Sequence, residues 1–296
     1  MIHTIDLHFQ GLAENIATFL VETPGGPILV ETGPHSTLAQ LQAGIVAAGY
    51  QAEAIRHVFL SHIHLDHAGA AWWFAQQGAQ VYVHPKGARH LASPERLMES
   101  ARRIYQDKMD ELWGEMHPIP AAQITETAHQ QAIELGDNKA MIAHHTPGHA
   151  VHHIAWQWQD VLFTGDVAGV RIHGGLVIPP CPPPDIQLTD WKNSIQLIKT
   201  LAPRTLYLTH FGPYEYTLSH MEELEQRLDK WADWMHPYFV EGASVAEVTP
   251  KFQRMVRAEM EASGLSASEI AQYEAANPAW MSVAGLLRYW KVNVTT

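Results

Sequence analysis

The chain has 296 residues, 46% hydrophobic and 17% charged, with a formal net charge of −12 and one cysteine, Cys181. That length buries a sizeable core, the charge disfavours a nucleic-acid backbone as partner, and a lone cysteine excludes an internal disulfide and the cysteine-rich zinc sites. No apolar run reaches the roughly 18 residues of a membrane span, and Met1-Ile2-His3-Thr4-Ile5-Asp6 lacks the layout of a signal peptide, so the expected compartment is the cytoplasm.

The first 31 residues read as a β-meander, with strands over Ile2 to Phe9, Ala17 to Glu22 and Pro27 to Glu31 and a turn at Thr23-Pro24-Gly25-Gly26. A helix is expected from about Ser36 to Ala48, striped by Leu38, Leu41 and Ile45, capped by Ser36 or Thr37 and ended by Gly49. Then come a strand over His57 to Ser61, a short helix closed by Gly78, and a strand over Gln80 to His84. Strand, helix, strand implies a parallel layer with a helix on its face, and ligands gather beyond the carboxyl ends of such strands.

That position holds the densest chemistry in the chain: His62, His64, Asp66 and His67, four metal-competent side chains within six residues. Borderline divalent cations take neutral imidazole and carboxylate oxygen. His62 and His64 alternate and so point the same way on an extended backbone, whereas Asp66 and His67 follow after the chain has turned. One turn could therefore serve two ions. A lone histidine among 20 is best read as ordinary packing, but burying four such groups without partners costs on the order of 1–3 kcal/mol each.

From Lys86 to Met116 an inserted pair of helices is expected over the metal face, starting at Ser93-Pro94-Glu95 and striped by Leu97, Ala101, Ile104, Tyr105 and Leu112. A lid and a plain packing element fit that pattern equally well. A second sheet follows over Lys139 to His144, His153 to Trp158 and Val161 to Thr164. Gly174 to Asp185 contains five prolines and reads as a stiff extended wall, with Cys181 structural. After a strand over Thr205 to Leu208, Ser219-His220-Met221-Glu222 reads as a capping box opening a long helix. From Gly242 the chain is helical, with a second capping box at Ser266 and Glu269 and a last helix opened by Asn277-Pro278. The apolar surface of this extension has to cover the core, the pocket rim or a second subunit.

With His62-Ile63-His64-Leu65-Asp66-His67 followed in order by Thr146-Pro147-Gly148-His149, Phe163-Thr164-Gly165-Asp166 and Leu208-Thr209-His210, the chain resembles the metallo-β-lactamase superfamily over roughly residues 1–215. The resemblance implies an α+β, four-layer αββα sandwich over 1–240, with the insertion at about 86–118 and a helical extension over 241–296. It also implies two divalent ions, zinc before iron or manganese. His62, His64 and His149 would hold one and Asp66, His67 and His210 the other, with Asp166 between them. Asp66 would orient a bridging hydroxide, and Tyr214 or Tyr216 would donate to the developing oxyanion. The third strand ends Glu31-Thr32-Gly33, where the family usually has Asp-Thr-Gly, which displaces a carboxylate behind the ligands. His35, His145, His152, His153 and His173 are further imidazoles that could orient the site.

The expected function is hydrolysis of a small ester, lactone, thioester or phosphoester, because Thr146-Pro147-Gly148-His149 is similar to the glyoxalase II and lactonase side of the family. The alternative is a mononuclear iron dioxygenase of the persulfide type, which would leave several of the seven ligand positions idle. A nuclease is disfavoured by charge, and a vestigial scaffold by the complete ligand set. The expected partner is a small molecule, with no nucleic acid or membrane, and the C-terminal helices offer a homodimer contact.

Overall fold

A computed structural model describes residues 1–294. Strands β1 (Ile2–Asp6), β2 (Ala17–Thr23), β3 (Gly26–Val30), β4 (His57–Phe59), β5 (Gln80–Val83) and β6 (Ile124–Glu126) form one sheet in chain order. β1 to β3 pair antiparallel, and β3 to β6 parallel. The parallel strands carry runs such as Ile28-Leu29-Val30 and Val58-Phe59-Leu60, buried on both faces, as a covered parallel sheet requires.

The second sheet runs β7 (Ala132–Glu134), β8 (Ala140–His145), β9 (Ile154–Trp158), β10 (Val161–Gly165), β11 (Thr205–Leu208) and β12 (Gly212–Glu215). Its pairs are antiparallel except β10 with β11, which are parallel and joined through a helix. The helices are α1 (Leu38–Ala47), α2 (Leu65–Ala68), α3 (Ala71–Gln76), α4 (Pro85–Ala92), α5 (Glu95–Tyr105), α6 (Met109–Leu112), α7 (Leu188–Leu201), α8 (Leu218–Val240), α9 (Val245–Ala262), α10 (Ala267–Ala276) and α11 (Ala279–Val294).

Three apolar clusters separate four layers. Phe19, Val30, Phe59, Met141, Trp156 and Phe163 fill the space between the sheets. Leu41, Ile45 and Phe74 of α1 and α3 cover the first sheet, and Trp191, Ile195, Leu224 and Trp231 of α7 and α8 cover the second. The αββα expectation is therefore met. The indole of Trp156 donates to the Leu60 carbonyl at 2.9 Å, fastening the second sheet to the strand end that precedes the histidine turn.

The extension joins the α7–α8 side. Phe252, Met260, Ile270, Tyr273, Val283 and Leu286 share one cluster with Leu224, Leu228 and Trp231. The Tyr273 hydroxyl is 2.9 Å from the Ile172 N–H and 2.8 Å from the Leu176 carbonyl, so α10 clasps the segment that follows Asp166. Capping boxes open α9 (Ser244 with Glu247) and α10 (Ser266 with Glu269), only the second of which the sequence reading singled out.

Several local expectations are corrected. β1 stops at Asp6 because His8 and Gln10 take left-handed φ of 46° and 55°, which no strand accommodates. The cap of α8 is Thr217, whose side chain accepts the His220 N–H, so Ser219 lies inside the helix rather than heading a capping box. Thr37 precedes α1 but its hydroxyl donates back to the Pro34 carbonyl, so it does not cap. The insertion holds three helices, not a pair, since Gly114 ends α6 and Gln106 breaks α5 at φ 50°. No described helix is long and apolar enough to cross a membrane.

Candidate metal centre

Each member of the site stands where regular structure ends. His62 and His64 lie on the extended residues after β4, and Asp66 and His67 on α2, whose first turn begins directly after His64. His149 follows β8, Asp166 follows β10, and His210 follows β11. Two glycines bring these ends together. At Gly148 (φ +136°) a Cβ would stand 2.3 Å from Trp191, and at Gly165 (φ +49°) 2.5 Å from Ser61. Neither the backbone angle nor the space admits a side chain, so both turns close tightly.

The seven side chains converge as two groups, His62, His64, His149 and Asp166 in one and Asp66, His67 and His210 in the other, with the donor atoms of each within 4.8 Å of one another. In the first, His64 Nδ1 is 2.8 Å from His62 Nε2 and 3.1 Å from His149 Nε2. Asp166 Oδ2 lies 3.2 Å from His149 Nε2 and 4.0 Å from His62 Nε2. Its other oxygen, Oδ1, lies 3.5 Å from both His67 Nε2 and His210 Nε2. Asp66 Oδ2 is 3.5 Å from the same two nitrogens. Ligands 2.0–2.1 Å from a tetrahedral cation stand about 3.4 Å apart, close to these separations. Asp166 thus presents one oxygen to each group.

The residues fit a cation by a second criterion. His67 Nε2 and Asp166 Oδ1 are buried without a hydrogen-bond partner. Orphaned buried polar atoms are costly, and a cation between them would satisfy both.

Behind the donors, the opposite ring nitrogens are fixed. His149 Nδ1 is 2.8 Å from the Pro180 carbonyl and His210 Nδ1 2.8 Å from the Asn15 carbonyl. His62 Nδ1 lies 2.9 Å from Ser61 Oγ, and His67 Nδ1 lies 3.2 Å from Glu31 Oε1. Such acceptors set the tautomer and aim the other nitrogen inward. Glu31 does so from a left-handed backbone (φ 62°), while its Oε2 accepts the Ser61 N–H at 3.2 Å. Glu31, longer than the aspartate the resemblance led one to expect, therefore still contacts a candidate ligand.

Electrostatics divide the groups. Burial, reinforced by charge on neighbouring imidazoles, pushes His62 down and brings His64 to about 3, and burial lowers His149 against the opposing Asp166 charge, so these rings stay neutral and ready to donate lone pairs. Burial alone would raise the Asp66 carboxyl, but His67 charge and the bond to His210 outweigh it and hold it at about 2. Burial opposes protonation of His67 and His210, yet Asp66 and Asp166 raise both. Without a cation, protons on these rings balance the carboxylates, and a cation would displace them.

A model of the metallo-β-lactamase superfamily matches residues 12–210. The chain belongs to that superfamily. It is 29% identical over 182 residues to the metallo-beta-lactamase fold-containing protein ST1585 of Sulfurisphaera tokodaii, covering 60% of this chain and 68% of that one. The crystal structure of ST1585 superposes with a TM-score of 0.62 at 24% identity over 76% of this chain and 85% of its own. The metallo-beta-lactamase family protein TTHA1429 of Thermus thermophilus superposes at 0.68, with 21% identity and 94% and 89% coverage, so the likeness in fold extends well past residue 210. The Rm3 metallo-beta-lactamase superposes at 0.57 with 17% identity, covering 77% of this chain and 90% of its own.

A cleft of about 220 Å³ opens over the site, walled by α5–α6 (Leu97, Ala101, Tyr105, Leu112), Trp113, Phe9, the Pro182–Pro184 segment and the α10–α11 turn, with His64, Asp66, Asp166 and His210 at its floor. The insertion and the proline wall were both expected there. Tyr214 was not borne out as an oxyanion donor. Its hydroxyl donates to the Arg171 carbonyl at 3.0 Å and accepts the Gly174 N–H at 3.2 Å, and it is not among the residues of the cleft. Tyr216, likewise outside the cleft, packs on the α7–α8 side. The hydroxyls that line the cleft belong to Ser100 and to Tyr105, the latter read from sequence only as part of an apolar stripe; burial and the Asp66 charge push the Tyr105 pKa up. Of the extra imidazoles, His153 Nε2 accepts the Asp166 N–H at 3.2 Å, and His152 packs its ring beside His62 and His64. His35 accepts the Glu115 N–H, His145 meets the Thr127 carbonyl, and His173 pairs with Glu14.

Proposed function

We propose that the protein is a dinuclear metal-dependent hydrolase of small esters or lactones, with thioesters and phosphoesters as the wider class. The observation that carries this reading is the placement of the two Asp166 oxygens, Oδ2 against His149 and Oδ1 between His67 and His210. His62, His64, His149 and Asp166 would hold one cation, and Asp66, His67, His210 and Asp166 the second. Zinc suits imidazole and carboxylate donors, with iron or manganese as alternatives.

When bound, such a pair polarises a carbonyl oxygen and lowers the pKa of water to near neutrality. The protein's residues do the rest. Pro180 and Asn15 carbonyls, Ser61 and Glu31 hold the imidazoles in one tautomer each. Asp66, with a side chain 23% exposed against 5% for Asp166, is the acid open to the cleft. It would orient the attacking water and carry its proton to the departing oxygen. Water adds to the carbonyl carbon, the acyl C–O bond breaks, and an acid and an alcohol leave. Of the hydroxyls that line the cleft, Tyr105 would donate to the carbonyl oxygen as charge builds there.

A mononuclear dioxygenase would not need Asp66, His67 and His210 brought together, so the second cluster favours the hydrolytic reading. Replacing Asp66 or His149 with Ala should abolish hydrolysis of p-nitrophenyl acetate by the metal-loaded protein while its circular dichroism stays unchanged. Full turnover in either variant would refute the mechanism.

A further inference from the structure

Away from the floor, the walls of the cleft carry no charge. Among the described residues that line it, the ionisable side chains besides Tyr105 are His64, Asp66, Asp166 and His210, all members of the candidate site, and no lysine or arginine is present. What remains is mostly aromatic, aliphatic or proline, with Gln10, Asn15, Ser100 and Asn277 as uncharged polar exceptions. Phe9 stacks on Trp113 with ring centroids 5.4 Å apart, and Tyr105 meets Trp113 edge-on at 5.0 Å. Ile104, 42% exposed, stands among them as one of the few large apolar side chains left open to water among the described residues.

We infer that this cleft is a channel for an uncharged apolar tail, so that the substrate is a carboxylic ester or lactone bearing an apolar acyl chain. The inference rests on the hydrolytic reading above and narrows it. Away from the cations that the floor would hold, an anionic tail would lie against walls without lysine or arginine, and a buried unpaired charge is expensive. Phosphoryl charge that those cations did not take up would meet the same walls. An apolar tail needs no cationic partner. It gains by leaving water, and aromatic rings that already pack on one another, like prolines with their fixed rings, have little side-chain freedom to lose when it docks. The net charge of −12 adds a long-range bias against anions approaching the mouth.

The test uses the full-length, metal-loaded chain with p-nitrophenyl acetate, butyrate and octanoate, and p-nitrophenyl hemisuccinate as a charged relative of the butyrate. Each fully buried methylene is worth about fourfold in kcat/KM, so octanoate should exceed butyrate at least tenfold. Hemisuccinate should be at least tenfold poorer than butyrate. Ile104→Asp, a change at an exposed position, should lower the octanoate-to-acetate ratio at least fivefold. Calorimetry with butanamide and octanamide reads the channel without turnover, and octanamide should bind at least tenfold tighter. Esters turned over with a flat chain-length profile, together with equal binding of the two amides, would overturn the channel and leave the hydrolase reading intact. Tight octanamide binding without turnover of any ester would do the reverse.

Discussion

Glu31→Gln isolates what a residue behind the ligands contributes. The side chain is 1% exposed, its Oε1 lies 3.2 Å from His67 Nδ1, and its Oε2 accepts the Ser61 N–H at 3.2 Å. Glutamine keeps the shape and the length, so the left-handed backbone at φ 62° and the packing stay as they are. What is lost is charge and one of the two acceptor oxygens, because the amide NH2 only donates. A hydrogen bond to a charged group contributes about 1.5–3 kcal/mol, and a neutral acceptor gives about half as much. One bond halved and one removed put the loss at about 2–4.5 kcal/mol, of which the part that falls on His67 is roughly ten- to a hundredfold in metal affinity. The loss should fall on the cluster that contains His67. Stepwise zinc competition against a chromophoric chelator yields the two dissociation constants, and a His149→Ala background, with the first cluster disabled, reports the second alone. Weakening there by tenfold or more is the expected result. Zinc affinity within twofold of the parent in that background would show that Glu31 does not support His67, and the reasoning would fail.

Tyr105→Phe should lower kcat on an activated ester about ten- to a hundredfold with metal content unchanged; steady-state kinetics beside elemental analysis check this, and equal kcat would remove Tyr105 from the chemistry. Tyr273→Phe strands the buried Ile172 N–H and should cost about 1–3 kcal/mol, or roughly 2–4 °C in Tm for each kcal/mol in a chain of this size; calorimetric melting decides it. Acid should destabilise the metal-loaded protein. Burial holds His84 down to about 4 and lowers His220, so both are neutral in either state above pH 6.5. Below that the unfolded chain takes up protons the folded chain refuses, and stability is lost as pH falls from about 6.5 towards 4. A melting temperature that rises over that window would contradict the assignment.

Much of the layout was legible because apolar runs and ligand clusters coincide. Val58 to Leu60 and Val161 to Phe163 are continuous hydrophobic runs, and each is followed at once by metal-competent side chains, so strand and site announced each other. The short edge strands did not. Ala132–Glu134 and Gly212–Glu215 offer three or four residues, mostly open to water, and the second contains Pro213, tolerated only at an edge. Their existence depends on pairing with β8 and β11, which no local pattern reveals.

The site divides in the same way. All seven side chains of the candidate site could be read from the motifs, whereas the groups that hold them come from elsewhere in the chain. His210 is aimed by the Asn15 carbonyl, 195 residues away, and His149 by the Pro180 carbonyl. Backbone acceptors leave no trace in residue identity. Tyr105 and Tyr214 show the limit for side chains. Tyr214 is near the last ligand in sequence, but β12 carries its hydroxyl to the Arg171 and Gly174 backbone. Tyr105 is distant in sequence, and only the fold of the insertion brings it over Asp66. The Ser219 capping box failed because Thr217, two residues earlier, reached the free N–H groups first.

Metal stoichiometry reaches the central claim most directly. The parent chain, loaded with zinc and freed of excess by gel filtration, should carry two ions by elemental analysis, and Asp66→Ala should carry one. A fully loaded parent that holds a single ion, or an Asp66→Ala protein that holds as many as the parent, would contradict the account of two clusters joined through Asp166.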